Sequence, residues 1–111
     1  MRASRAYVSG LSQFYEETNM IQVRFQLVGV KYRQQEFTQA KVCINDVLQL
    51  MPEPNNVHDP KAIAIYKGGI QIGYVPRKDN QSIHAHVMAG QATCKVEAAW
   101  SMGCAVLVEL P

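Results

Sequence analysis

The sequence predicts a mainly β fold, a small closed or partly closed barrel with one or two helices. Three observations carry this. Ile21, Val23, Phe25 and Leu27 alternate with Gln22, Arg24 and Gln26, the period of a half-buried strand. Two apolar runs, Ala62-Ile63-Ala64-Ile65-Tyr66 and Ile70-Gln71-Ile72-Gly73-Tyr74-Val75, flank Lys67-Gly68-Gly69, a hairpin turn whose glycines accept positive φ. One helical stretch stands before two final strands, and short strands joined by tight turns favour a barrel over layered α/β architecture.

The elements follow in order. Residues 1–19 are expected to be an N-terminal arm that is either partly flexible or, with Leu11, Phe14 and Tyr15 as one turn of apolar face, docked on the domain or on a neighbouring subunit. The barrel is expected over residues 20–111. The first strand ends in Val28-Gly29-Val30, where Gly29 signals a bend or a close backbone approach. Lys31-Tyr32-Arg33 then sets an aromatic ring between two cations; alone, this reads as a solvated rim. Phe37, Ala40, Val42 and Ile44 suit a short helix or an irregular strand equally. After a turn at Asn45-Asp46, Val47–Met51 forms a strand with Leu48 and Leu50 on one face.

Pro52 and Pro54 stop that strand and open the stretch Glu53-Pro54-Asn55-Asn56-Val57-His58-Asp59-Pro60. It is a polar loop fixed directly to the strand Ala62–Tyr66, the combination of polar groups and rigid support that a binding site needs. In the return strand, strict alternation puts Tyr74 on the face of Ile72, unless a bulge at Gly73 turns it. Asp79 or Asn80 is the expected cap of a helix running to about Met88, with Ile83 and Val87 as its buried stripe, Met88 beside them and Gly90 as its stop. Gln91–Trp100, with Cys94, Val96 and Ala98 on one face, and Cys104–Leu110 are the last strands.

Composition narrows the chemistry. The chain has 111 residues, eleven basic and nine acidic, for a net charge of +2. That suits one domain with a real core, and a nucleic-acid site would have to come from local clustering of charge. No apolar run approaches a membrane span, and Arg2 and Arg5 precede no apolar region of a secretory leader. Cys43, Cys94 and Cys104 have no C-x-x-C spacing and read as free thiols in a reducing compartment. His84 and His86 stand two apart on a helix and point to different sides, so no metal is expected. His58 beside Asp59 does not make a triad, and there is no Gly-rich phosphate loop. Nothing in these residues argues for an enzyme, and no cofactor is implied.

Five pieces in order resemble one family: Val28-Gly29-Val30-Lys31-Tyr32, Asp46–Leu50, Glu53–Asp59, Ala62–Ile65 and Ile72-Gly73-Tyr74-Val75-Pro76-Arg77 follow the pattern of the HIRAN domain over about Ile21 to Leu110. The resemblance implies a modified OB-like β-barrel that binds single-stranded DNA, notably an end with a free 3′-hydroxyl. It implies an intracellular, cytoplasmic protein of a bacterium or phage, acting in DNA repair or at replication forks with a helicase or nuclease. It also implies roles. Lys31 contacts phosphate and Tyr32 stacks on a base. Asn56-Val57-His58-Asp59 matches an Asn-Pro-aromatic-Asp motif, in which Asp59 accepts from the terminal hydroxyl and His58 stacks on the last base. Tyr74 supplies a ring and Arg77 a cation. Val57 replaces the usual Pro and His58 a larger aromatic, commonly Tyr. Trp100 is a further candidate stacking face. The alternative from another class is a protein-interaction module, or an assembly subunit that forms a homo-oligomer through its N-terminal arm.

Overall fold

The structure, a computed structural model, describes residues 20–111. The expected arm, residues 1–19, lies outside the described residues. The elements are β1 (Ile21–Gln26), a 3-10 turn (Val30–Tyr32), α1 (Gln34–Ala40), β2 (Val47–Pro52), β3 (Ile63–Lys67), β4 (Ile70–Tyr74), α2 (Arg77–Met88), β5 (Thr93–Trp100) and β6 (Gly103–Leu110). The strands form one antiparallel sheet in the order β1-β6-β5-β2-β3-β4.

The sheet curls until its outer strands meet. Beyond β1, Leu27 N still donates to Cys104 O of β6 at 3.2 Å. One residue later the chain has crossed to the opposite edge. Val28 N donates to Tyr74 O at 3.0 Å and Tyr74 N donates to Val28 O at 2.9 Å. This single bridge joins the first strand's extension to β4, giving the mainly β, partly closed barrel that the strand pattern predicts. It also explains two glycines. Gly29 has φ +79°, which turns the chain from the bridge into the 3-10 turn. At Gly73 a Cβ would lie 2.9 Å from Val28 O and 3.2 Å from a Leu27 methyl, so the backbones approach this closely only without a side chain there.

The core fills the barrel. Ile63, Ile65, Ile72, Val96, Val106 and Val108 are fully buried, Leu48 nearly so, and Leu50 packs at the margin. Burying each such side chain contributes about 1.5–3 kcal/mol. Ala64 is buried too, so β3 is covered on both faces. In α2, Ile83 and Val87 form the inward stripe as their spacing predicts, and Gly90 ends the helix with φ +71°. Phe37 and Ala40 settle the ambiguous stretch as a helix, α1, packed against β4. Its C-terminal end is tied to the end of β3, because Lys67 Nζ donates to Lys41 O at 2.7 Å and pairs with Asp46 Oδ2 at 2.8 Å. Lys67 and the Cys43 N–H hold the Asp46 carboxyl below the usual range.

Several local expectations are corrected. Neither Asp79 nor Asn80 caps α2: the N-cap is Pro76, the helix begins at Arg77, and Asn80 is buried in its first turn. Lys31 and Tyr32 lie on a 3-10 turn rather than at a strand end. Ile44 is 60% exposed and Met88 56% exposed. A bulge between Val96 and Ala98 leaves Glu97 unmatched and turns Ala98 outward, where Glu97 pairs with Arg24 at 3.0 Å. The bulge in β4 falls at Ile72, one residue before Gly73. Among the described residues, no helix is long and apolar enough to cross a membrane.

Two measurements test this core. Gly73→Ala should lower stability by about 1–3 kcal/mol, because the new methyl has to displace the Val28 backbone. Urea unfolding with an unchanged midpoint would show that the closure tolerates a side chain. The thiols give the second test. Cys43 is exposed, while burial pushes Cys94 up to about 12, with Cys104 adding to the shift, and pushes Cys104 up to about 11. The thiolate is the reactive form. A thiol reagent at pH 8 should therefore label Cys43 alone in the native protein and all three cysteines in denaturant.

Candidate functional site

The loop between β2 and β3 is shaped by its own side chains. Its neck is closed where Glu53 N donates to Ala62 O at 2.9 Å and Ala62 N donates to Asp59 O at 3.0 Å. Inside it, Asn56 Oδ1 accepts from His58 N at 2.8 Å and from Asp59 N at 3.1 Å. This is an Asx turn, the local geometry that asparagine favours. It leaves Val57 90% exposed at the tip and His58 exposed beside it.

A carboxylate anchors each end of the loop. Glu53 Oε1 accepts from Asn56 Nδ2 at 3.0 Å and from the Tyr74 hydroxyl at 2.9 Å, tying the loop to β4. Asp59 ties it to α2. Its Oδ1 accepts from Lys61 N at 2.9 Å, and its Oδ2 accepts from Asn80 Nδ2 at 2.9 Å and from Arg77 Nε at 3.4 Å. Arg77 Nη2 also donates to His58 O at 2.8 Å. The Asp59–Arg77 pair is at the surface and adds little by itself. The buried end is different: Asn80 is 2% exposed, and its Oδ1 has no partner among the described residues. An amide held there with half its hydrogen bonding unmet is tolerated because its other half fixes Asp59.

These donors set the charge of Asp59. The Asn80 amide first, then the Lys61 N–H and the Arg77 guanidinium, hold its carboxyl below the usual carboxylate range. Its folded value is depressed relative to the unfolded one. Its contribution to stability is therefore present above the ordinary value of 3.8 and is lost as pH falls through the lower folded value.

The structure brings Asn56, Asp59, Tyr74 and Arg77, with the His58 carbonyl, into one hydrogen-bonded group. Lys31 and Tyr32 connect to it through the backbone: Tyr74 is bridged to Val28, and the 3-10 turn that follows packs against β4. Tyr32 is 80% exposed, and the Lys31 ammonium stands 5.1 Å from its ring centroid. Trp100 is 46% exposed at the β5–β6 turn. Sequence reasoning missed two members of the group. Glu53 was legible as an acid three residues before Asn56 in a proline-flanked loop. Asn80 was not, since asparagine near a helix start reads as a cap. Among the described residues, no group of His, Cys, Asp and Glu is arranged to hold a metal ion.

Chemically the group is a surface with two carboxylates held by internal hydrogen bonds, exposed cations at Lys31 and Arg77, and exposed rings at Tyr32 and His58. Comparison with known proteins agrees with its architecture. The crystal structure of the HIRAN domain of human HLTF is similar with a TM-score of 0.67 at 19% identity, covering 80% of this chain and 74% of that one. A crystal structure of a protein from Lactobacillus plantarum is similar with a TM-score of 0.68 at 19% identity, covering 83% of this chain and 97% of that one. No curated protein matches the chain. The family model of the HIRAN domain matches residues 20–107, from the start of β1 into β6. The chain therefore belongs to the HIRAN domain family, known generally as a DNA-binding module.

Proposed function

We propose that this protein binds single-stranded DNA and recognises an end with a free 3′-hydroxyl, through Lys31, Tyr32, Asn56, His58, Asp59, Tyr74 and Arg77. One observation carries the reading: Asp59 is held ionised, 20% exposed, on a loop fixed to a core strand. A carboxylate on a surface that meets a polyanion is repulsive unless it receives a specific donor. Asp59 accepts three hydrogen bonds from Lys61, Asn80 and Arg77. A carboxylate has about four acceptor positions, so roughly one is left for a hydroxyl.

The other residues take roles that fit their exposure. Tyr32 and His58 offer faces to bases, and Lys31 and Arg77 neutralise phosphates. Asn56 and Tyr74 act through the loop: their bonds to Glu53 set where His58 and Asp59 stand. The protein is a binding module rather than an enzyme on this reading. It serves free strand ends in DNA repair or at forks, and a helicase or nuclease is the class of partner that would produce or consume such ends.

Anisotropy titrations with labelled thymine oligonucleotides test this. Stacking contributes about 1–3 kcal/mol per base, so Tyr32→Ala should weaken binding about ten-fold or more. The wild type should prefer a 3′-hydroxyl to a 3′-phosphate end. Asp59→Asn should lose that preference while staying folded, because Asn80 can turn its unpartnered Oδ1 to the new amide. Equal affinity for both ends in the wild type would end the claim of end recognition. No binding to any strand at low salt would leave the interaction-module reading in its place.

The pH profile is a separate check. Because the folded-state carboxyl of Asp59 lies below 3.8, it stays ionised throughout the mildly acidic range. The hydroxyl preference should be the same at pH 7 and at about pH 5. A preference that fades between those values would show that another group accepts the hydroxyl.

A further inference from the structure

Beside the 3-10 turn lies a shallow hollow of about 760 Å³, lined by Gln34, Gln35, Thr38 and Gln39 of α1 and by Met102 of the β5–β6 turn. We propose that it takes the bases of the nucleotides that precede the strand end, a second subsite that reads base edges rather than backbone. This rests on the reading of the protein as a single-strand binder.

The face is polar without being charged. Positions 34, 35, 38 and 39 share one side, and Phe37 and Ala40 face the core. A solvent-facing helix side ordinarily carries charged or polar residues. Here it carries three amides and a hydroxyl, and the charged residue of the helix, Glu36, is paired with Arg33 at 3.8 Å. Phosphates call for cations, and the hollow has none. An amide offers two donors and an acceptor, which match a base edge, adenine N6 and N7 best of all. Met102, 39% exposed, adds a soft apolar contact for a base face.

Position supports the same occupant. Gln34 follows Tyr32 by two residues, and its Nε2 donates to Lys31 O at 3.2 Å. A strand whose next-to-last base stacks on Tyr32 therefore has its preceding nucleotides at the start of α1 on this proposal.

The test uses pentanucleotides with a 3′-hydroxyl, intact or with abasic residues at the third and fourth positions from that end, and a dinucleotide. Binding is measured to the wild type and to the double variant Gln35→Ala/Gln39→Ala. Both glutamines are exposed and alanine favours helix, so the variant should fold, as circular dichroism can check. The wild type should bind the intact pentanucleotide at least about five-fold tighter than the abasic one, the low end for one lost base contact. The variant should bind both pentanucleotides equally and the dinucleotide as the wild type does. A wild type that binds the dinucleotide and ignores the abasic change overturns this inference alone, as does a variant that keeps the full sensitivity. A wild type that binds no strand overturns the single-strand reading and this one with it.

Discussion

The two backbone hydrogen bonds between Val28 and Tyr74 are the constraint on which the rest of the molecule depends. They join the two ends of a curled six-stranded sheet into a partly closed barrel. They also decide what the neighbouring residues can be. Gly73 has no room for a side chain, and Gly29 needs a positive φ to leave the bridge. The cation-aromatic pair then follows on one side of the bridge, and the Tyr74 hydroxyl reaches Glu53 on the other. Two segments more than forty residues apart thus become neighbours through a main-chain contact.

The loop that completes the site is ordered by polar contacts rather than by apolar packing. Asn56 replaces missing secondary structure with an Asx turn, and Glu53 and Asp59 fasten the loop to β4 and α2. Such a network is costly when half made and specific when complete. It also separates roles. Residues whose side-chain amides bind within the network, such as Asn56 and Asn80, hold the geometry. Residues with free faces or charges, such as Tyr32, His58 and Lys31, are the ones available to a partner.

Much of this was legible before any coordinates. The strand at β1, the glycine hairpin after Tyr66 and the Ile83–Val87 stripe are local signals that survive folding, although the inward face of β1 is buried only from Phe25 on and Ile21 is 53% exposed. What was illegible depends on partners distant in sequence. Asn80 looks like a cap until Asp59 is beside it, and Ala98 looks inward until the bulge at Glu97 shifts the register. The 3-10 turn at Val30–Tyr32 exists because Gly29 leaves the bridge with φ +79°, which no periodicity encodes. In the site, Asp59, Tyr74 and Arg77 were readable from the family pattern. Glu53 was in plain view in the same loop, but its function appears only once the Tyr74 hydroxyl is seen to donate to it.

The barrel is stitched unevenly. β5 and β6 share seven residue pairs and β1 and β6 share six, whereas the closing seam has one pair. Each backbone hydrogen bond contributes a net ~0.5–1.5 kcal/mol, so parting the seam needs far less free energy than unfolding the domain. The weakest line of the fold therefore runs through the backbone of Tyr74, between the turn that carries Tyr32 and the loop that carries Asp59. Native-state fluctuations would loosen the contact between these two halves first. A ligand that touches both would act as a clasp across the seam, damping the motion there and slowing the opening of the Val28 and Tyr74 amides.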